Sequence, residues 1–308
     1  MALAQDSRTL DSSAGIKSTF KLIATLFKLR IVLLLVFSSF AGAALALIAG
    51  GTAFSTPSRW LLLTVCGTLS AAGASAINQY LERNQDGKMG RTSQRPLVNG
   101  EIENPHVVYA IALGMIVLAV IAPLMLGLTD LAFWLLLGAA IYVAVYTVWL
   151  KPRTSLNIVI GGAAGSCAVI AGGAAMGQAY APAVWILGAL VFTWTPVHFW
   201  ALALAYRDDY AKAAFPMLPS LVSPRAAAWW IALHTVLTAV LALALGVLPQ
   251  IDWLMLGMMG VLSVPLLSKT LALINRPEKS AALGLFHTSN LFLAAVFLIC
   301  ILATIWRI

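Results

Sequence analysis

Acidic side chains are scarce in this chain. Asp and Glu together number 11 in 308 residues, and charged residues of both signs make up 10%. A soluble domain is about half apolar and about a quarter charged, so a sequence that is 61% hydrophobic with a mean hydropathy of +0.93 falls outside that class. Cysteine is rarer still. Cys66, Cys167 and Cys300 each lie inside an apolar run, and no C-x-x-C spacing occurs. That excludes a sequence signature for disulfides or zinc and leaves core packing as the role of the thiols. No polar stretch is long enough to make a separate soluble domain. The net charge is +8, yet the basic residues sit at the ends of apolar runs and form no continuous stripe. Nucleic acid is therefore not an expected partner, and membrane lipid is.

What the chain does have is long apolar runs. Nine windows of about twenty residues can each cross a hydrocarbon core of ~30 Å. They lie near 29–50, 60–81, 106–127, 130–149, 156–177, 183–205, 227–248, 253–273 and 283–304. The expected fold is an all-α integral membrane protein of nine transmembrane helices. Residues 1–28 read as a polar, Ser-rich tail, and 29–308 as a single nine-helix domain. The tail lacks the compact apolar core of a secretory signal. Short turns near Gly127–Asp130 and Pro249–Asp252 make the third and fourth helices, and the seventh and eighth, antiparallel neighbours. Of the 19 Lys and Arg, 17 fall on one side of this arrangement; Arg59 and Arg307 fall on the other. The positive-inside rule then predicts a cytoplasmic N-terminus, an external C-terminus and cytoplasmic placement of the 82–104 and 206–226 loops. A bacterial cytoplasmic membrane is the expected location.

Polarity is concentrated in two places. The first runs from Asn78 to Pro96. Asn78, Glu82 and Asp86 recur every fourth residue and would line one helical face about 6 Å apart, followed at once by Lys88, Arg91 and Arg95. Carboxylates on one face suit hard, oxygen-seeking cations such as Mg²⁺, and the adjacent Lys and Arg suit phosphate oxygens. Ionisable groups this dense at the mouth of a membrane span point to function. The pattern predicts a diphosphate held at the membrane surface.

The second place closes the sixth span. Tyr206, Asp209 and Lys212 recur at i, i+3 and would share a face, Asp209 offering a further carboxylate to Mg²⁺ and Lys212 a charge to the leaving phosphate. Pro216 and Pro219 force the chain out of helix. His198 lies within the span, eleven residues before Asp209 and about 16 Å along a continuous helix. Packing, proton carriage and iron ligation are all open to it. Gly- and Ala-rich runs such as Gly161–Gly165 and Gly172–Gly177 read first as close-packing surfaces between helices; the alternative is that they leave space for a flat or bulky ligand.

These residues resemble the UbiA-type intramembrane prenyltransferases. The N-x-x-x-D-x-x-x-D motif of that family is matched by Asn78, Glu82 and Asp86, with Glu for the first Asp. Thr195-Pro-Val-His-Phe-Trp200, Asp209-Tyr-x-Lys-Ala213, Pro216-Met-Leu-Pro219, Tyr146-Thr147-x-x-Leu150-Lys151 and Asn157–Gly162 resemble the protohaem IX farnesyltransferase (haem O synthase) branch. The resemblance covers about residue 28 to the C-terminus. Val197 and Ala168-Val169 depart from the branch where it usually carries prolines.

The resemblance implies a UbiA-type bundle and an Mg²⁺-dependent transfer of farnesyl from farnesyl diphosphate to the 2-vinyl group of haem B, with water added, giving haem O and diphosphate for haem-copper oxidases. Haem A synthase or a terminal oxidase assembly would be downstream partners. Asn78, Glu82, Asp86 and Asp209 would hold Mg²⁺; Lys88, Arg91, Arg95, Tyr206 and Lys212 would hold the diphosphate; His198, Trp200 and His287 would face haem. Two rivals are a prenyltransferase for an aromatic quinone precursor, which would lack the His198 and Pro216–Pro219 signatures, and a transporter, whose acids should lie near the bilayer midplane.

Overall fold

The structure, a computed structural model, describes residues 12–51, 57–88, 90, 92–212, 215–248 and 253–305. Among them, nine helices are long and apolar enough to cross a membrane: Leu29–Ile48, Pro57–Asp86, Pro105–Met125, Thr129–Leu150, Asn157–Ala175, Pro182–Ala205, Pro224–Gly246, Trp253–Asn275 and Lys279–Thr304. All nine coincide with the windows read from hydropathy. We label the regular elements α1 (Ser12–Leu26), α2 (Leu29–Ile48), α3 (Pro57–Asp86), α4 (Pro105–Met125) and α5 (Thr129–Ala140). They continue with α6 (Asn157–Gly161), α7 (Ala163–Ala175), α8 (Pro182–Ala205), α9 (Arg207–Lys212), α10 (Leu218–Leu221), α11 (Pro224–Gly246), α12 (Trp253–Asn275) and α13 (Lys279–Ile305).

Helix starts follow local chemistry. α4 opens on Pro105 behind Asn104, whose side chain accepts from the His106 N–H, and α11 opens on Pro224 behind Ser223, which accepts from the Ala226 N–H. Proline costs nothing at a position whose N–H has no intrahelical partner. The expected short turn between α4 and α5 is Leu126–Leu128, closed by Gly127 at φ +74°. The other expected turn, near Pro249–Asp252, lies outside the described residues, but α11 and α12 pack side by side as it requires.

Three departures position the site. α3 does not stop near residue 81 but continues to Asp86, carrying its motif past the apolar run. The fourth span changes character at Ile141, where ten residues to Leu150 adopt a π-helix. The sixth span ends at Ala205, breaks at Tyr206 (φ −119°, ψ 35°) and restarts as the six-residue α9. The N-terminal segment, read as a polar tail, also contains a helix, α1.

One small-residue run packs helix on helix, and the other serves both roles considered for it. A Cβ on Gly172 would lie 1.8 Å from the Ser39 carbonyl oxygen, and one on Gly42 would lie 2.0 Å from the Val169 oxygen, so α2 and α7 meet backbone to backbone there. Gly161, Gly162, Ala164 and Gly165 line a cavity of about 260 Å³ walled by α2, α3, α5, the π-helical segment, α6, α7, α8 and α13. They also pack closely: a Cβ on Gly161 would lie 2.7 Å from the Tyr146 ring and one on Gly162 3.1 Å from Thr195 Cβ.

Candidate active site

The motif residues of α3 are buried at the polar end of the bundle: Asn78 is 1% exposed, Glu82 7% and Asp86 3%. A helix presents every fourth residue on nearly one face, so all three point toward the same neighbours. Ionised carboxylates at this depth need a positive partner. Each has one. Lys151 Nζ donates to Glu82 Oε1 at 2.5 Å, and Arg95 forms an ion pair with Asp86 Oδ2. Asn78, though neutral, also meets a cation: Lys28 Nζ donates to its Oδ1 at 2.6 Å.

Local structure explains how these groups arrive. The loop after α3 folds back because Thr92 Oγ1 donates to the Asp86 carbonyl oxygen at 2.8 Å, and this brings Arg95 over the helix end. Tyr142, Tyr146, Thr147 and Lys151 come from the π-helical end of the fourth span. In it the Lys151 N–H bonds the Tyr146 carbonyl oxygen and Thr147 Oγ1 donates to the Tyr142 carbonyl oxygen, both five residues back. Nine residues make about two and a half turns of α-helix, which would set Lys151 opposite Tyr142. Closing on the fifth residue slows the rotation, so the same nine residues make about two turns and the two side chains share a face. Thr147 Oγ1 accepts from Asn78 Nδ2 at 3.0 Å, Tyr142 Oη accepts from Lys28 Nζ at 3.2 Å, and the Tyr142 and Tyr146 rings stack at 5.7 Å.

Lys151 also joins the second polar stretch to the first. Its ammonium stands 4.6 Å from the centre of the Phe215 ring, in the loop that follows α9. Phe215 and Met217 are buried there. Asp209 is half-buried on α9, and its carboxylate makes no hydrogen bond or ion pair with any described residue. Lys212 and Lys88 are exposed. Tyr206, expected to share a helical face with Asp209 and Lys212, occupies the break between α8 and α9 instead, with Lys279 Nζ 4.9 Å from its ring centre. The continuous helix expected from His198 to Asp209 is interrupted at the same point. Arg91 lies outside the described residues.

Tyr142 also belongs to the wall of the cavity, together with Ala74 and Ser75 one turn before Asn78. The polar mouth therefore opens directly on an apolar interior. His198 lines that interior. Its ring is stacked between Trp194 (4.6 Å) and Phe286 (4.5 Å), and its Nδ1 lies 3.3 Å from Ser289 Oγ. Trp200 and His287, grouped with His198 from sequence, are not brought to the cavity. Trp200 is two residues further round α8 and packs edge-on against His234 at 5.0 Å, and His287 is exposed on the outer face of α13. A two-residue step on a helix turns the side chain to the far side.

Among the described residues no three His, Cys, Asp or Glu side chains converge into a self-contained metal cage. The donor set still fits Mg²⁺, which is commonly held by one or two carboxylates together with substrate phosphates and waters. Glu82, Asp86 and the amide oxygen of Asn78 supply hard oxygens on one face, ringed by Lys28, Lys151 and Arg95. Sequence reasoning missed Lys28 and Lys151 as site residues. Their signal was present, as a Lys at the entry of the first span and the end of the Tyr146–Lys151 segment, but their direction depended on other helices.

Known proteins bear on this arrangement. Residues 34–296 match the model of the UbiA prenyltransferase family. A protein named protoheme IX farnesyltransferase from Metallosphaera sedula is 37% identical over 282 residues, 91% of this chain and 94% of the relative. One of the same name from Thermus thermophilus is 40% identical over 284 residues, again 91% of this chain, which spans 45% of that longer relative. Among solved structures, a UbiA homologue from Archaeoglobus fulgidus bound to DMAPP and Mg²⁺ superposes with a TM-score of 0.62 at 16% identity, covering 91% of this chain and 98% of that one. The fold, the polar mouth over an apolar cavity and the match along most of the sequence converge: the chain belongs to the UbiA prenyltransferase family.

Proposed function

We propose that this protein transfers a farnesyl group from farnesyl diphosphate to the 2-vinyl group of haem B, with addition of water, releasing haem O and diphosphate. The observation that carries the donor half is the junction at Tyr142, where a mouth of carboxylates and cations opens onto an apolar cavity. A prenyl diphosphate has the same two-part character. The acceptor half rests on the relatives' printed names and on His198, which presents an imidazole to the cavity from an aromatic slot.

Asn78, Glu82 and Asp86, with Asp209 from α9, would hold Mg²⁺, which when bound supplies positive charge to the departing diphosphate. Lys151 and Arg95, with Lys88, Arg91 and Lys212 from the flanking loops, hold diphosphate oxygens as the C1–O bond breaks and negative charge builds up. The apolar walls take the isoprenoid chain and keep water from the allylic cation until the vinyl group attacks. Water then closes the cation formed on the porphyrin side. The charge asymmetry of the loops supports a cytoplasmic N-terminus and active site, in what we take to be a bacterial cytoplasmic membrane.

The test is direct. Membranes carrying the protein are incubated with haem B, farnesyl diphosphate and Mg²⁺, and the haems are analysed by mass spectrometry. A hydroxyethylfarnesyl haem is expected. Prenylation of an aromatic quinone precursor with no haem product would overturn the acceptor assignment.

A further inference from the structure

Lys28 is the one non-glycine residue with positive φ among the described residues, at φ 49° and ψ 49°. Left-handed backbone is rare for a side chain of this kind and persists where the surroundings hold it. Here they do. α1 ends at Leu26, α2 begins at Leu29, and the turn between them directs the Lys28 ammonium back over α3. Gln79, 1% exposed and next to Asn78, donates from Nε2 to the carbonyl oxygens of Thr25 (2.9 Å) and Leu26 (2.7 Å). Consecutive residues of the motif helix therefore grip the end of α1 and the lysine that follows it.

The contact itself is unusual in what it does. Lys151 on Glu82 and Arg95 on Asp86 each neutralise a buried carboxylate. At Asn78 the partner of Lys28 is a neutral amide oxygen and not a carboxylate. The amide orientation is also fixed from both ends: Nδ2 donates to Thr147 Oγ1 at 3.0 Å, so Oδ1 faces Lys28 Nζ at 2.6 Å. That oxygen is the atom through which Asn78 would reach a metal ion, and an ammonium has donors only. A divalent cation and Lys28 Nζ would compete for it, because two positive centres on one amide oxygen repel each other. Another partner of Nζ, Tyr142 Oη at 3.2 Å, stands on the cavity wall, where a prenyl chain would leave its diphosphate.

We propose that Lys28 is a placeholder cation: it occupies the Asn78 amide oxygen while the metal is absent and passes to an oxygen of the prenyl diphosphate when a divalent ion takes that position. No covalent step is involved. The exchange keeps an ammonium at the C1 end of the diphosphate and leaves Asn78 Oδ1 paired before and after the ion binds. The inference deepens the donor half of the proposed reaction and does not depend on the acceptor.

Two affinities test it, because they should move in opposite directions. Mn²⁺ binding to the full-length protein, measured by electron paramagnetic resonance without diphosphate, should tighten at least threefold in Lys28→Met, since the competitor for Asn78 Oδ1 is gone. Binding of farnesyl diphosphate at saturating Mg²⁺ should weaken at least tenfold. Lys28→Arg, which keeps the charge, should bind farnesyl diphosphate within threefold of wild type. If Lys28→Met does not insert, Lys28→Gln should give the same opposed shifts. Loss of both affinities together would make Lys28 a structural anchor, and no change in either would remove it from the site; both results overturn the proposal. Wild-type protein that binds farnesyl diphosphate but makes no haem product would overturn the acceptor assignment alone.

Discussion

The Lys151 ammonium lies 2.5 Å from Glu82 Oε1 and 4.6 Å from the centre of the Phe215 ring. One side chain thus links the motif on α3 to the loop beyond α9, two stretches far apart in sequence. Lys151→Met should lower turnover by about 10²–10³-fold, the usual cost of one electrostatic donor to a transition state. Lys151→Arg should recover part of it. Steady-state rates with farnesyl diphosphate decide the matter, and wild-type turnover in Lys151→Met would detach this residue from the chemistry.

Asp86→Ala should abolish measurable turnover while the protein still inserts, and chelation of Mg²⁺ should do the same to wild type. Glu82→Ala should behave likewise. Glu82→Asp keeps the charge on a shorter arm and should be mild. Activity of Asp86→Ala within about tenfold of wild type would sink the metal-site assignment.

Two glycines should separate packing from space. Gly172→Ala drives a Cβ against the Ser39 carbonyl oxygen at 1.8 Å, between two backbones, and should abolish folded protein as judged by size-exclusion chromatography. Gly67 lines the cavity with open space where a Cβ would go. Gly67→Leu should therefore insert normally but lose at least about tenfold in turnover with farnesyl diphosphate, and less with a five-carbon prenyl diphosphate. Equal loss with both donors would mean that the isoprenoid chain runs elsewhere.

Reporters fused after Arg95, Lys151 or Lys212 should register as cytoplasmic, and those after Gly127 or Gln178 as external. An external signal at Lys212 would place α9 across the membrane from α3 and end the case for a shared site.

His198→Ala should lose haem B binding, followed by its absorption spectrum, and product formation, while Mg²⁺-dependent binding of farnesyl diphosphate survives. An unchanged haem spectrum would return His198, with its contacts to Trp194, Phe286 and Ser289, to a packing role.

Much of this was legible in the residues alone. Charge is so sparse that Asn78, Glu82 and Asp86 stood out at once, and their spacing of four needed only a helix to align them. α3 supplies that helix through Asp86. The small-residue runs could not be resolved in the same way, because contact and cavity call for the same absence of side chain. Gly172 proved to be a contact, and Gly162 both a contact and a cavity wall, only once α2 and α8 were in place.

The sequence by itself determined the nine spans, the antiparallel neighbours, the asymmetry of charge and the motif helix. All of these depend on properties local to the chain: transfer of apolar side chains from water, and the period of the helix. The tertiary structure alone decided which cation meets which oxygen. It set Lys28 on Asn78, Lys151 on Glu82 and Arg95 on Asp86, and turned Trp200 and His287 away from the cavity. Those outcomes depend on how each helix is rotated about its own axis. That rotation is fixed by packing against its neighbours and, in the fourth span, by ten residues whose slower π-helical turn brings Tyr142 and Lys151 to one face.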